Sequence, residues 1–462
     1  MIILNRSLVA VGLSVVLVIS VVVYEDARYY GSPFSSSWQQ NFGHVVNPSM
    51  VDAIIENGDI FILSVNNYNL SIDGLYGGAD TIVLTAANAT DGSGLWADSF
   101  VVGYYGVPQM YWHNGNLLIV SYAHGFGYNS NNYRQFNNYN ILMMKFNPGT
   151  GSISNISRYN NSLVLAPNQL AIHDNELFGY SFQEDGGEYY SNGIPTTTFK
   201  VSLFGINLSS MNSWNQTFYV QGNPNYSSAS LVVSNSTVAI VSNNIYTEAP
   251  GISKVSFFGF DSHSGNLSWS FSANGSFDHL WSAANHFYFV RENDTQYSLV
   301  TLNSTNGHEF VPLTIPSSNM VFVQGKFLYR NNGHYSSISL TGGRLWETKE
   351  LFPSPVNSYY EVSGLSPGYA LISSIGQQSV YHVINLSTGK IIWSSDNSLI
   401  SSIEGGNGVQ DVPVAYGNGY IVFVAISQNP TLNVMAVNIN TFGINSQTPL
   451  QRNNSSSLYS TG

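Results

Sequence analysis

Hydrophobic and polar residues alternate with a period of two along many short stretches of the chain, most clearly over Phe257–Phe271. Phe258 and Phe260 alternate with small residues, which is typical of a half-buried strand. A turn follows at Asp261–Gly265, where the aspartate caps the backbone and the glycine allows a positive φ. The stretch 267–271, LSWSF, alternates again. The pattern therefore predicts a strand, a tight turn and a second strand.

This signal recurs along the chain as Asp or Asn, a glycine four residues later and a tryptophan after four more. The set Asp261/Gly265/Trp269 has a close copy at Asn385/Gly389/Trp393. Other copies keep only part of the signal: Asn147/Gly151, Asn303/Gly307 with Val311 in the tryptophan position, Gly343/Trp346, Gly94/Trp96, Asn207/Trp214 and Asn438/Gly443. The chain thus contains about eight copies.

A small turn followed by a hydrophobic strand precedes each copy, as in NGDIFILS at 57–64. The two markers divide the chain into units of about 40–55 residues, each with about four strands. Such a unit cannot bury both faces of its sheet alone, so it stacks on its neighbours, and radial stacking gives a β-propeller. We predict an all-β fold, an eight-bladed β-propeller with seven blades as the alternative. The predicted blades are 47–103, 104–158, 159–220, 221–273, 274–314, 315–350, 351–396 and 397–450.

The repeat resembles the pyrroloquinoline-quinone-like β-propeller repeat, and the resemblance covers most of residues 50–445. In that family the tryptophan closes contacts between adjacent blades. The resemblance implies this role for Trp96, Trp214, Trp269, Trp346 and Trp393; ordinary core packing is the other interpretation.

The resemblance also extends to quinone-dependent dehydrogenases, which typically carry adjacent cysteines against the cofactor. This chain has no cysteine, so we expect the scaffold without the cofactor. The non-enzymatic branch includes a membrane-anchored scaffold of the bacterial outer-membrane assembly machinery, which binds partners through its propeller face. That branch is the better analogy.

Three regions of different character follow from the sequence: an N-terminal segment (1–30), the propeller (31–450) and a polar tail (451–462). Residues 2–24 nearly reach the 20 or so apolar residues that span a bilayer, and Arg6, before the apolar run Leu8–Val23, favours an extracellular propeller. A cleaved signal peptide is the alternative. Arg6 and Ser7 before the apolar run are similar to archaeal pilin-type signals, which suggests an archaeal-type cell-surface protein.

Ring closure has two candidates in the sequence. Trp38, in SSSWQQNF at 35–42, is our candidate for an N-terminal strand that completes the last blade. The stretch FGINSQTPL at 442–450 competes for the same position.

Composition excludes one partner class and indicates an exterior location. Charged residues make up only 9% of the chain, and 14 Lys and Arg against a net charge of −12 leave no basic patch for nucleic acid. A surface of Asn, Ser, Thr, Tyr and Gly suits an acidic exterior, because neutral groups do not titrate, or simply an extracellular glycoprotein. Asn-x-Ser/Thr sequons are abundant, and the glycosylation candidates among them are Asn69, Asn88, Asn155, Asn215, Asn225, Asn274 and Asn293.

Long loops between the second and third strands distinguish the first four blades, at 66–80, 124–140, 183–198 and 243–253. They are rich in Tyr, Asn and Gly, which suit recognition, although tolerated surface insertions look the same. The candidate recognition residues are Tyr128, Tyr133, Tyr139, Glu184, Asp185, Glu188, Tyr189 and Tyr190.

No catalytic, cofactor-binding or metal-binding residue is predicted. Glu184, Asp185 and Glu188 could hold Ca²⁺, but no loop has EF-hand spacing and a solvated acidic loop is the preferred interpretation. We therefore predict a membrane-anchored extracellular binding or scaffold module for a protein or glycan partner, rather than an enzyme. The alternatives are a surface enzyme acting on sugars or alcohols from the propeller channel, and a structural subunit of a surface layer or filament.

Overall fold

The computed structural model describes residues 38–438 except 45–47, 73–74, 103–107, 124–139, 161–168, 187–188, 192–193, 223–227, 245–253, 284, 294–295, 317–319, 332, 341, 349–358, 367, 376–379, 395–413, 418 and 427–430. These residues form eight antiparallel sheets of four strands each, one of which carries an extra short strand. The predicted all-β, eight-bladed β-propeller is confirmed, and seven blades are excluded. The N-terminal segment 1–30 and the tail 451–462 lie outside the described residues. Among the residues that the structure describes, no helix is long and apolar enough to cross a membrane.

The strands run in chain order from the inner to the outer edge of each blade. The first four blades comprise β2 (Pro48–Glu56), β3 (Asp59–Ile72), β4 (Leu75–Asn88) and β5 (Gly94–Val102); β6 (Gln109–His113), β7 (Asn116–Ala123), β8 (Asn140–Phe146) and β9 (Ile153–Asn160); β10 (Gln169–His173), β11 (Glu176–Glu184), β12 (Tyr189–Ser191), β13 (Ile194–Asn207) and β14 (Ser213–Gly222); and β15 (Ser228–Ser234), β16 (Thr237–Asn244), β17 (Lys254–Asp261) and β18 (Leu267–Asn274). The last four comprise β19 (Ser276–Ala283), β20 (His286–Asn293), β21 (Gln296–Asn303) and β22 (Leu313–Ile315); β23 (Met320–Val323), β24 (Lys326–Asn331), β25 (His334–Ile338) and β26 (Arg344–Glu347); β27 (Tyr359–Ser366), β28 (Tyr369–Ile375), β29 (Val380–Asn385) and β30 (Ile391–Ser394); and β31 (Val414–Gly417), β32 (Tyr420–Ile426), β33 (Thr431–Asn438) and β1 (Trp38–His44).

The ring closes through β1, the first described strand, which is the outer strand of the last blade. It pairs antiparallel with β33, and Trp38 lies opposite Ala436. Ala436 precedes Asn438 by two residues, just as Gly259, opposite Trp269, precedes Asp261. The structure therefore places Trp38 at the repeat's tryptophan position in the closing blade. The competing stretch 442–450 lies outside the described residues.

The hydrophobic core lies between blades. Phe257 of the fourth blade and Phe289 of the fifth have ring centroids 4.7 Å apart, and Tyr381 and Phe423 join the seventh and eighth at 5.0 Å. Each fully buried aromatic side chain stabilises the fold by roughly 1.5–3 kcal/mol. Because each cluster draws on two neighbouring sheets, the blades support one another around the ring.

Tryptophans dock onto the turn of the next blade at four junctions. Their indole Nε1 groups donate to backbone carbonyls of that turn: Trp96 to Pro148 at 2.7 Å, Trp214 to Ser262 at 2.7 Å, Trp269 to Ser304 at 2.8 Å and Trp346 to Leu386 at 2.7 Å. The ring lies flat against the repeat's glycine, where a Cβ atom would come within 2.4–2.5 Å of a ring carbon: Gly151, Gly265, Gly307 and Gly389, respectively. The two sequence markers, Gly and Trp, are thus the two halves of one inter-blade contact. Trp393 is 3% exposed and packs in the core between the seventh and eighth blades.

Two junctions are built differently. Between the second and third blades, Asn155 stands at the tryptophan position and Met211, with φ +60°, stands at the glycine position. Between the fifth and sixth blades, Val311 stands at the tryptophan position but is 95% exposed. There, Leu313 contacts Gly342 in a turn that is one residue shorter than the others.

Two predicted loops are paired strands instead. Residues 66–72 and 75–80 belong to β3 and β4, and 183–184, 189–191 and 194–198 belong to β11, β12 and β13. The prediction of long loops was wrong for these residues, because cross-strand pairing overrides the loop-like composition of Asn, Gly and Asp. Residues 124–139 and 245–253 lie outside the described residues.

Candidate functional site

The alternating strand order gives the ring two different sides. On the turn side, tight turns join the first strand of each blade to the second, and the tryptophan-docking turns join the third to the fourth. On the hairpin side, the second and third strands are joined. All the predicted recognition segments belong to the hairpin side.

The first blade projects a two-stranded ribbon from the hairpin side. β3 and β4 pair from Asp59↔Asn88 to Ile72↔Leu75, but β2 accompanies β3 only as far as Asn66 and β5 accompanies β4 only from Asp80. Within the described residues, 67–72 and 75–79 therefore pair only with each other. At about 3.3 Å per residue, this ribbon extends about 20 Å beyond the blade. No described strand pairs with either of its outer edges.

The third blade carries a shorter, internally pinned hairpin on the same side. β11 pairs with β13 as far as Glu184↔Phe199, and β12 then pairs with the start of β13. The buried Thr197 hydroxyl lies 3.0 Å from Glu184 Oε1 and 3.1 Å from the Gly186 carbonyl. The Asp185 amide donates to the Thr198 carbonyl at 2.8 Å. The turn that carries Glu184 and Asp185 is therefore fixed to the sheet.

The other predicted recognition residues are distributed as follows. Tyr189 and Tyr190 lie in β12, opposite Thr196 and Pro195. Tyr128, Tyr133, Tyr139 and Glu188 lie outside the described residues.

The later blades are low on the hairpin side. In the fifth blade the last pair is Asn293↔Gln296, and in the sixth it is Asn331↔His334. Strands β20 and β21 have eight residues each, whereas β3 and β4 have fourteen each. The hairpin side is thus taller at the first blade than at the fifth and sixth.

The turn side carries a polar cluster that the sequence analysis did not identify. His113 Nε2 lies 3.0 Å from Asn175 Oδ1, and Asn175 Nδ2 donates to Asn207 Oδ1 at 3.2 Å. His263 Nε2 of the fourth blade lies 4.0 Å from Glu176 Oε1 of the third. Burial raises the pKa of Glu176 and lowers the pKa of His113. These contacts tie the second, third and fourth blades together across their turns.

No ion site emerges from the acidic residues. In the part of the chain that the structure describes, no three His, Asp or Glu side chains are grouped so that they could hold a metal ion. Glu184 and Asp185 are both exposed, and Glu184 is engaged by Thr197.

The sequon asparagines differ in accessibility. Among the seven predicted candidates, Asn155 and Asn274 are exposed, whereas Asn88 and Asn215 are half-buried. Asn69 lies in β3 and Asn293 in β20. Asn225 lies outside the described residues.

Comparison with known proteins finds similarity in fold only. No family model and no curated protein matches the sequence. Similar solved structures include BamB from Moraxella catarrhalis, with 13% identity over 87% of this chain and 99% of that chain and a TM-score of 0.43. Sqt1 from Saccharomyces cerevisiae shares 10% identity over 88% and 100%, with a TM-score of 0.48. A quinohemoprotein alcohol dehydrogenase, ADHIIG from Pseudomonas putida HK5, shares 9% over 90% and 78%, with a TM-score of 0.43. At these values the comparisons carry no argument about function, and the architecture rests on the strand pairings of the chain itself.

Proposed function

We propose that this protein is an extracellular, membrane-anchored scaffold that binds a protein partner on the hairpin side of its propeller. The observation behind the proposal is the β3–β4 ribbon, whose residues 67–72 and 75–79 extend beyond both flanking strands. A rigid ring that presents a tall, ordered ribbon is suited to recognition, because little conformational entropy remains to be lost on binding.

The ribbon favours a protein over a glycan as the partner. In the part of the chain that the structure describes, neither outer edge of the ribbon has a strand partner, and such edges are templates for strand addition by an extended polypeptide. A glycan has no backbone ladder to contribute. The surrounding Tyr, Asn and Gly of the sequence 66–80 provide contact area and adaptable hydrogen bonding.

The location belongs to the same proposal. The largely apolar residues 2–24 would hold the chain in a membrane, and Arg6, before the apolar run Leu8–Val23, would keep the N-terminus inside. The propeller would then be exposed to the exterior, where a chain with only 9% charged residues relies on neutral surface groups that keep their hydrogen bonds at any pH. Protease added to intact cells should digest the propeller, and an intact propeller after such treatment would contradict this location.

Shortening the ribbon tests the binding proposal. Val65 and Ile82 lie opposite each other in β3 and β4, so Asn66–Thr81 can be replaced by an Asn-Gly turn. The seven β3–β4 pairs from Asp59↔Asn88 to Val65↔Ile82 are kept. We expect the partner recovered with the intact chain at stoichiometric yield to be lost. The melting temperature should change little, because the pairs from Asp59↔Asn88 to Val65↔Ile82 and the core residues Phe61, Leu63 and Ile82 are kept.

The matched control introduces an Asn-Gly turn on the hairpin side of the fifth blade, between β20 and β21. Asp294→Asn with Thr295→Gly places an Asn-Gly turn between Asn293 and Gln296 without shortening either strand. This variant should keep full binding. A ribbon-shortened chain that remains folded and still binds its partner would overturn the proposal. A bound small molecule in native mass spectrometry would instead favour an enzyme.

A further inference from the structure

Large apolar side chains are exposed beside two of the sequons on the outer rim of the ring. Ile156 is 51% exposed and directly follows Asn155, and Leu267 is 57% exposed and directly follows Asn266. Asn155 lies in β9 and Asn266 immediately precedes β18, the outer strands of the second and fourth blades. Exposed apolar groups on an edge strand are an aggregation liability that proteins normally cover or interrupt.

Asn155 is exposed on the outer strand of its blade. It stands opposite Lys145, where other blades carry the docking tryptophan, yet it is exposed. Its Nδ2 lies 3.3 Å from the Oγ of Ser157, so the carboxamide and the hydroxyl of the sequon lie side by side on the surface. Asn266 is likewise exposed, and so is the hydroxyl residue of its sequon, Ser268.

Asn274 is also exposed, but Ser276, the hydroxyl residue of its sequon, is half-buried. Six other described sequons are engaged in hydrogen bonds or have a buried hydroxyl residue. Three half-buried asparagines use Oδ1 to cap their own turns: Asn207 accepts from the Ser210 amide at 2.9 Å, Asn303 from the Thr305 amide at 2.9 Å and Asn385 from the Ser387 amide at 2.9 Å. Asn88 likewise accepts from the Thr90 amide at 2.8 Å. Asn215 donates to the Tyr159 hydroxyl, and Asn235 precedes a Thr237 that is only 4% exposed.

We propose that Asn155 and Asn266 are N-glycan acceptors of this protein and that their glycans cover Ile156 and Leu267. The co-substrate is a lipid-linked oligosaccharide. Nδ2 forms a bond to the anomeric carbon, the bond between that carbon and the lipid phosphate oxygen breaks, and the carboxamide loses one proton. The inference rests on the proposed extracellular location, because the donor is used on that side of the membrane. It selects Asn266, which the sequence alone did not favour, and sets aside Asn88 and Asn215.

Glycopeptide mass spectrometry of the full chain from its own host tests the inference. Trypsin releases peptide 146–158, in which Asn155 is the only sequon, and peptide 255–291, in which fragmentation separates Asn266 from Asn274. We expect a glycan mass on Asn155 and on Asn266. Ser157→Ala and Ser268→Ala should each remove one of them, whereas the matched Ser157→Thr and Ser268→Thr should keep it.

Accessibility to protease on intact cells separates the possible failures. A chain that is digested from outside but is unmodified at Asn155 and Asn266 overturns the glycan inference and leaves the proposed location standing. Glycans on Asn303 and Asn385 in place of these two would overturn it as well. A chain that is protected from protease and unmodified would overturn both the inference and the location.

Discussion

The indole of Trp269 in the fourth blade lies flat on Gly307 in the turn of the fifth. A Cβ atom on Gly307 would come within 2.4 Å of the Trp269 ring, and the backbone there has φ +68°. Trp269 Nε1 also donates to the Ser304 carbonyl at 2.8 Å, within the same turn. Gly307 is therefore required both for backbone conformation and for the space that it leaves.

These two requirements can be separated by alanine substitution. Gly325→Ala meets only the conformational cost, because Gly325 has φ +76° and nothing within 4 Å of its Cβ position. We expect it to cost roughly 1–2 kcal/mol of unfolding free energy. Gly307→Ala adds overpacking against Trp269, so we expect it to lower the unfolding free energy, measured by urea unfolding, by about 3 kcal/mol or more. Equal costs for the two variants would show that the ring does not depend on the close contact.

A second prediction concerns the Leu386 carbonyl, which accepts from Trp346 Nε1 and from Lys326 Nζ, each at 2.7 Å. Trp346→Phe or Lys326→Met leaves one donor in place, whereas the double variant leaves none. An unsatisfied carbonyl costs about 1–3 kcal/mol, so the double variant should lose at least about 1 kcal/mol more than the sum of the single variants. A double-mutant cycle in urea measures this coupling and cancels the lost ring volume. Strict additivity would contradict it.

The ring was predictable because its signals are local. Asp261 and Gly265 specify a turn within five residues, and Trp269 follows at a fixed distance, so repetition revealed the blades. The position of Trp38 depends on the same repeat, since Ala436 stands in β33 where Gly259 stands in β17. Patterns that repeat along the chain can be detected without any knowledge of its folding.

The sites could not be predicted in the same way, because they depend on neighbours far apart in sequence. Residues 66–80 have the composition of a loop and become strands only through their cross-strand partners. The 4.0 Å contact between Glu176 and His263 joins turns of two blades. No sequence pattern around either residue indicates this contact, although Glu176 directly follows a repeated turn and His263 lies within the Asp261–Gly265 turn.

Acidification should destabilise the protein through His382. Burial lowers the pKa of His382 to about 4, below the usual 6.5, and its Nδ1 lies 2.7 Å from Ser394 Oγ. The unfolded chain therefore binds the proton first, so stability is complete above about pH 6.5 and is lost as the pH falls towards 4. By pH 5 the loss should be about 2 kcal/mol.

His382→Gln, which keeps a hydrogen-bonding group, should remove most of this slope between pH 7 and pH 5 in urea unfolding. A smaller slope of the same sign should remain from His113, whose pKa is also lowered by burial. Burial raises the pKa of Glu56 and Glu176, so these groups act in the opposite direction at lower pH, as their folded forms bind the proton more tightly. An unchanged slope in His382→Gln would assign the effect to other groups.

We predict that the tryptophan–glycine contact can be introduced at the junction between the second and third blades, which lacks it. Asn155 and Met211 occupy the positions that Trp269 and Gly307 occupy elsewhere, and Met211 has φ +60°. Asn155→Trp alone brings a ring against the Met211 side chain, and Met211→Gly alone removes packing. Together they recreate the contact, because the glycine gives the ring its space and relieves the backbone strain. We expect the unfolding free energy of the double variant to be higher, by about 1.5 kcal/mol or more, than the sum of the two single-variant effects predicts.

The mirrored cycle at the first junction provides the control. Trp96→Asn and Gly151→Met, where the contact exists, should show coupling of the same sign, since the space that the glycine leaves is needed only while the tryptophan is present. Both cycles are measured on unglycosylated chain, so that Asn155 differs only in its side chain. Coupling at the first junction without coupling at the second would mean that Gly and Trp are insufficient, and that the rest of the third-blade turn has diverged with Met211. Coupling at both would make the Gly–Trp pair a transferable unit of blade-to-blade stability.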